Sequence, residues 1–131
     1  MLELPFAIYF VLVALFVGSF INLAADRLPR GESLLTPRSH CRSCGRVLNV
    51  IDLLPVAGYF IRGGRCATCR TSIGPSAPLV EAAAGLSMLI PIVGLGLWPG
   101  VFIGVFLLIG LLVVALRVSE ARHRATTASG R

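Results

Sequence analysis

Apolar and polar positions along this chain segregate into blocks. Residues 5–25 form an uncharged run of 21, close to the roughly 20 residues a helix needs to cross about 30 Å of hydrocarbon. A second apolar run, 79–97, is interrupted only by Glu81 near its start and by Pro91 inside it. Pro91 deletes a backbone hydrogen bond and crowds the preceding turn, which predicts a kink. Trp98-Pro99-Gly100 reads as a turn with an interfacial aromatic, and 101–116 as a third span of about the minimum length. Residues 26–78 are the one long polar stretch between spans. Inside it, 47–61 is apolar but broken by Asn49, Asp52, Pro55 and Gly58 and too short to span. It is either the core of a small folded loop or a segment lying on the bilayer surface. The pattern predicts an all-α membrane protein with three transmembrane helices. Its parts are a first helix (1–25), a cytoplasmic loop (26–78), a transmembrane helical hairpin (79–117) and a basic, disordered tail (118–131).

Composition agrees. Of 131 residues 56% are apolar, and the mean hydropathy is +0.86, above the range of soluble domains. The start is not read as a cleaved signal, because Met1-Leu2-Glu3-Leu4 has no positive charge and the apolar run exceeds a typical signal core. All 12 basic residues are arginines, and the net charge is +6, which by itself suggests nucleic acid or an anionic surface. Their placement excludes nucleic acid as the partner: they fall in two blocks flanking the apolar runs, which is a topology signal. With three spans, the rule that positive loops stay inside puts the amino terminus outside and the loop and carboxyl terminus in the cytoplasm. Gly18, Ser19 and Asn22 in the first span, and the pair Gly100 and Gly104 in the third, offer small or polar surfaces for close helix packing.

The chemistry is concentrated in the loop. Cys41-Arg42-Ser43-Cys44 and Cys66-Ala67-Thr68-Cys69 are two CxxC turns separated by 21 residues, and together they hold all 4 cysteines. Each turn projects two thiolates to one side, and two such turns supply the four sulfurs of a tetrahedral Zn²⁺ site. A cytoplasmic location argues against disulfides. A thioredoxin-like site would need a CxxC opening a helix in a βαβ unit, a pattern that neither pair has, so zinc is favoured over redox or iron chemistry. Four thiolates at Cys41, Cys44, Cys66 and Cys69 close the coordination shell, so the ion is structural, within a zinc-ribbon-like loop of two short strands per knuckle. Arg42, Arg46, Arg65 and Arg70 lie close enough in sequence to offset the negative charge of such a centre. His40 is a rival ligand or a neighbour of the site.

Asp26, Glu81 and Glu120 each fall near the cytoplasmic end of a different span. They could form an acid cluster of the kind aspartic peptidases use. Pairing with nearby arginines at headgroup level is the preferred expectation.

Several segments then resemble one family. Gly18-Ser19-Phe20-Ile21-Asn22, the run Arg27 to Ser33 (Arg-Leu-Pro-Arg-Gly-Glu-Ser), Pro37-Arg38-Ser39-His40-Cys41, Arg62-Gly63-Gly64-Arg65-Cys66 and Pro78-Leu79-Val80-Glu81 are similar to the amino-terminal domain of bacterial prepilin peptidases, the type IV leader peptidases of family A24. The resemblance implies a multi-pass inner-membrane protein of the type IV pilus and type II secretion systems. It also implies a tetracysteine zinc loop, aspartic cleavage of prepilin leaders and N-methylation with S-adenosylmethionine. The chain departs from the family where catalysis is concerned. Glu120 stands at the position resembling the first catalytic aspartate, and no aspartate follows Asp52, so there is no GxGD motif. One carboxyl cannot serve as a dyad. The expectation is a zinc-binding module that is non-catalytic alone, contacts lipid and binds a membrane protein partner or a prepilin-like substrate. The alternative is part of a split leader peptidase and N-methyltransferase whose catalytic residues come from a partner chain.

Overall fold

Long uninterrupted runs of Leu, Val, Ile, Phe and Ala satisfy their own backbone only as helices when water is absent, and the three runs fold accordingly. The computed structural model describes residues 3–36 and 38–129. Pro37 of the Pro37-Arg38-Ser39-His40-Cys41 segment, Met1-Leu2 and the last two positions of the expected tail lie outside the described residues. Helix α1 spans Glu3–Arg27 and leads into a single 3₁₀ turn at Leu28–Arg30, which Gly31 ends at φ 68°. A one-turn helix α2 (Ala57–Ile61) lies in the loop. Helices α3 (Ser76–Leu95) and α4 (Leu97–Ser129) complete the chain. Three helices are long and apolar enough to cross a membrane, and the cysteines sit between the first two of these.

Helix α3 is the centre of the bundle, packing against both α1 and α4. The contacts are made by small residues. A Cβ on Gly18 would lie 2.7 Å from the Ala84 Cβ and 2.9 Å from the Glu81 Cα, so α1 and α3 meet backbone to backbone there. Gly100 and Gly104 do the same between α4 and α3: added Cβ atoms would fall 2.4 Å from the Ile92 Cα and 2.6 Å from the Met88 sulfur. The expected packing use of these glycines is thus realised. Ala14, Met88, Ile92 and Leu97 form the small buried core, while Phe6, Phe16, Phe20, Phe102 and Phe106 face outward as lipid-facing side chains do.

Three expectations are corrected. Trp98-Pro99-Gly100 is the first turn of α4 rather than a loop. The reversal is made by Gly96 at φ 87°, and Pro99 is accepted because backbone N–H groups in a first helical turn have no partner to lose. The stretch after residue 117 is helical through Ser129 rather than irregular, because nothing between 111 and 129 stops a helix. Thr126 and Thr127 turn their hydroxyls back onto the Arg122, His123 and Arg124 carbonyls. The knuckles contain no strands among the described residues, only the isolated bridges His40–Val47 and Arg65–Ser72, because each ladder closes within about two residues. Pro91 lies inside α3 without ending it.

Candidate metal centre

The two knuckles are built alike. In the first, the Cys41 N–H donates to the Arg46 carbonyl and the Gly45 N–H to the Cys41 carbonyl, both at 2.8 Å. In the second, the Cys66 N–H donates to the Thr71 carbonyl at 3.0 Å and the Arg70 N–H to the Cys66 carbonyl at 3.1 Å. The residue after each second cysteine must be left-handed to close the turn. Gly45 does this at φ 71° without strain, and Arg70 does it at φ 59° with a side chain attached. The Thr71 hydroxyl donates to the Ser43 hydroxyl at 3.1 Å and joins one knuckle to the other.

The turns bring the four sulfurs together. Cys41 and Cys69 Sγ are 3.8 Å apart, Cys44 and Cys66 Sγ 3.9 Å, and all four lie within 4.8 Å of one another. They are free thiols close enough to hold one metal ion. Among the described residues this is the only place where three or more His, Cys, Asp or Glu side chains converge. His40 is not part of the group; its ring Nδ1 is 3.0 Å from the Arg38 carbonyl.

The thiols titrate unequally. The Thr71 hydroxyl, then its backbone, draws Cys69 down to about 6. Backbone N–H groups of Cys69 and Thr68 lower Cys66. The Arg46 backbone favours the Cys44 thiolate, but desolvation and hydrogen bonds with Cys69, Cys41 and Cys66 outweigh it and push that group up to about 11. A divalent cation entering here must displace protons, which makes uptake pH-dependent.

Behind the cluster lies a charge network that the spacing of the cysteines does not reveal. Asp52 accepts from Arg46 Nη2 and from Arg62 Nε, both at 2.6 Å, and from the Asn49 N–H at 3.1 Å. Burial alone would raise the Asp52 carboxyl. The Asn49 N–H, Arg62 and Arg46 outweigh it and hold the group below the usual carboxylate range. Desolvation works against the Arg46 charge, but Asp52 and then Cys66 raise its pKa. Arg46 Nη1 is buried with no hydrogen-bond partner. A buried guanidinium nitrogen without a partner, on an arginine whose charge Cys66 favours, is a feature that a bound metal–thiolate centre, with its net negative charge, would satisfy. The sequence signal available was Asn49 three residues before Asp52, the spacing of a capping box, and the two residues do exchange side-chain to backbone hydrogen bonds.

The three carboxylates do not form an acid cluster. Asp26 pairs with Arg30 at 3.1 Å and with Arg42, as the arginine-pairing expectation holds. Glu81 differs: it is buried, and its Oε2 accepts a 2.7 Å hydrogen bond from the Val56 backbone N–H. Glu120 is exposed on α4, one residue past Ser119, whose hydroxyl donates to the Ala25 carbonyl.

Residues 12–94 match the family model of the Bacterial Peptidase A24 N-terminal domain. A Prepilin leader peptidase/N-methyltransferase of Myxococcus xanthus is 37% identical over 81 residues, covering 62% of this chain and 24% of that protein. A protein of the same name from Burkholderia pseudomallei is 37% identical over 109 residues, covering 64% and 34%. That of Pseudomonas aeruginosa is 30% identical over 106 residues, covering 63% and 37%. The chain spans about a quarter to a third of the length of these relatives. No solved structure matches it.

Proposed function

Since the chain belongs to the Bacterial Peptidase A24 N-terminal domain family, we propose that it is the zinc-bearing membrane module of a prepilin-processing system, non-catalytic by itself. The observation that carries this reading is the sulfur quartet. A tetrahedral ion with sulfurs at about 2.3 Å separates them by about 3.8 Å, and the two cross-knuckle pairs stand at 3.8 and 3.9 Å. Cys41, Cys44, Cys66 and Cys69 would hold Zn²⁺, which when bound locks the two knuckles into one folded loop. The loop and the end of α4 lie on the cytoplasmic side of the inner membrane and the start of α1 outside. This orientation rests on the arginines in the loop and after residue 116. The module binds a prepilin-like substrate or a membrane partner that contributes the acids it lacks, since residues 53–131 contain no aspartate. Two measurements test this. Metal analysis of the purified protein should give one Zn²⁺ per chain, lost in Cys66→Ser. Incubation with a prepilin and S-adenosylmethionine should leave the leader uncut, and clean cleavage by this chain alone would refute the non-catalytic role.

A second reading, part of a split leader peptidase and N-methyltransferase, has one observation in its favour. The Ser119–Ala25 hydrogen bond sets Glu120 beside the end of α1, where a catalytic acid would face the loop. Activity that appears on adding a GxGD-bearing partner and disappears in Glu120→Ala favours this reading over the first.

A further inference from the structure

The loop carries an apolar surface that neither the metal centre nor the helix bundle covers. Residues 47–61 contain a single charged side chain, Asp52, and it points inward: its side chain is 7% exposed and held by Arg46 and Arg62. What remains outward is Val50, Ile51, Leu53, Leu54, Phe60 and Ile61, all exposed, with Val50 at 78% and Phe60 at 71%. The segment is folded rather than loose. Helix α2 doubles back on the preceding turn so tightly that a Cβ on Gly58 would lie 2.6 Å from the Ile51 carbonyl oxygen. Six exposed apolar side chains within residues 50–61 are unusual on a surface that faces water.

Its height relative to the membrane follows from the helix contacts. Gly18 of α1 faces Glu81 and Ala84 of α3, and Leu15 faces Gly85, so the two helices run antiparallel with α3 starting level with the end of α1. Glu81 is five residues into α3, about 7 Å below its start, and helical side chains lean back toward the N-terminus. The Val56 N–H that Glu81 accepts therefore sits against the first two turns of α3.

We propose that the 50–61 segment is an interfacial anchor whose apolar side is buried in the headgroup and acyl boundary of the leaflet where α1 ends and α3 begins. Its occupant is the lipid bilayer itself. The two sides of the segment have different partners: Asp52 is enclosed by Arg46 and Arg62, and Phe60 and its apolar neighbours face hydrocarbon. Insertion to about 5–10 Å is the usual depth for an interfacial helix, and it would fix the height of the metal centre above the membrane. This rests on α1, α3 and α4 spanning a bilayer and not on the identity of the metal or on any catalytic role.

The test uses single-tryptophan proteins in a Trp98→Phe background, reconstituted in vesicles with lipids brominated near the glycerol end of the acyl chains. Phe60→Trp, with Val50→Trp as a second reporter should the first misfold, is compared with Ser43→Trp on the first knuckle and Phe106→Trp on α4. The anchor predicts blue-shifted emission at residues 60 and 50 and at least two-fold stronger quenching than at 43, unchanged when protein is diluted in lipid. Water-like, unquenched emission at 60 and 50 alongside normal quenching at 106 would overturn the anchor while leaving the spans intact. Blue-shifted emission that bromine does not quench, or that fades on dilution, would overturn it in favour of a protein partner or a second copy.

Discussion

The Glu81 carboxylate accepts a 2.7 Å hydrogen bond from the backbone N–H of Val56, 25 residues earlier, and so fastens the loop to the second long helix. The turn it holds is a strained one. Val56 sits at φ 57° and ψ −53°, and the Ala57 N–H reaches back to the Pro55 carbonyl at 2.5 Å, closing a positive-φ γ-turn. Such turns are rare and costly for a β-branched residue. Glu81→Ala leaves the Val56 N–H unpaired, a loss of about 1–3 kcal/mol where the group stays buried. Thermal unfolding in detergent should show a lower Tm, and hydrogen exchange should rise across 51–61. Glu81→Gln keeps an acceptor and should fall between Ala and the parent. Equal effects from both variants would mean that the side chain fills space rather than holding the turn.

The equivalence of Gly45 and Arg70 gives a second prediction. Both occupy the left-handed position after the second cysteine of a knuckle, yet only Gly45 does so freely. Arg70→Gly should stabilise the loop by up to about 1 kcal/mol, and Gly45→Arg should destabilise it by a similar amount. Chelator challenge followed by tryptic digestion reads both. Loss of stability in Arg70→Gly would show that the Arg70 side chain makes contacts worth more than its backbone strain.

What the sequence made legible was set by local pattern. The three spans follow from length and hydropathy, and the metal quartet from two CxxC spacings, because both signals are carried by neighbouring residues. The tertiary contacts were not legible. Glu81 reads as one more interfacial charge until Val56 is brought to it, and Asp52 reads as a break in an apolar run until Arg46 and Arg62 enclose it. The polar composition of 117–129 resembles a disordered tail, although Ala, Arg and Glu are also good helix formers, and the stretch continues α4. Pro99-Gly100 is the stronger turn signal, yet the chain reverses at Gly96, because a first helical turn accommodates a proline.

Helix packing supplies a third prediction, with its own internal control. A Cβ at Gly100 would lie 2.4 Å from the Ile92 Cα and 2.5 Å from its nitrogen, both backbone atoms that cannot rotate away, whereas Gly110 on the same helix meets nothing within 4 Å. Gly100→Val should cost about 1–3 kcal/mol by forcing α3 and α4 apart. Gly110→Ala should be neutral or raise the Tm, since it removes glycine from a helix interior. Thermal stability in one detergent compares the two, and equal losses would argue against a close α3–α4 approach.

The fourth prediction concerns Arg46, whose buried Nη1 has no partner while Nη2 is held 2.6 Å from Asp52. A tetrathiolate around a divalent ion carries two net negative charges, and Arg46 is the arginine whose charge the Cys66 thiol already supports. Arg42, which sequence proximity offered equally, is engaged with Asp26 instead. Arg46→Gln should therefore weaken metal binding by about 10–100-fold, the usual range for a group behind the ligands, and Arg42→Gln by much less. Competition with a chromophoric chelator measures both affinities directly, independently of any enzymatic assay. Asp52→Asn provides the check on mechanism. It frees Arg46 from its anchor while leaving the positive charge in place, so it should lower affinity less than Arg46→Gln if charge is what matters, and equally if the role of Arg46 is only to brace the loop.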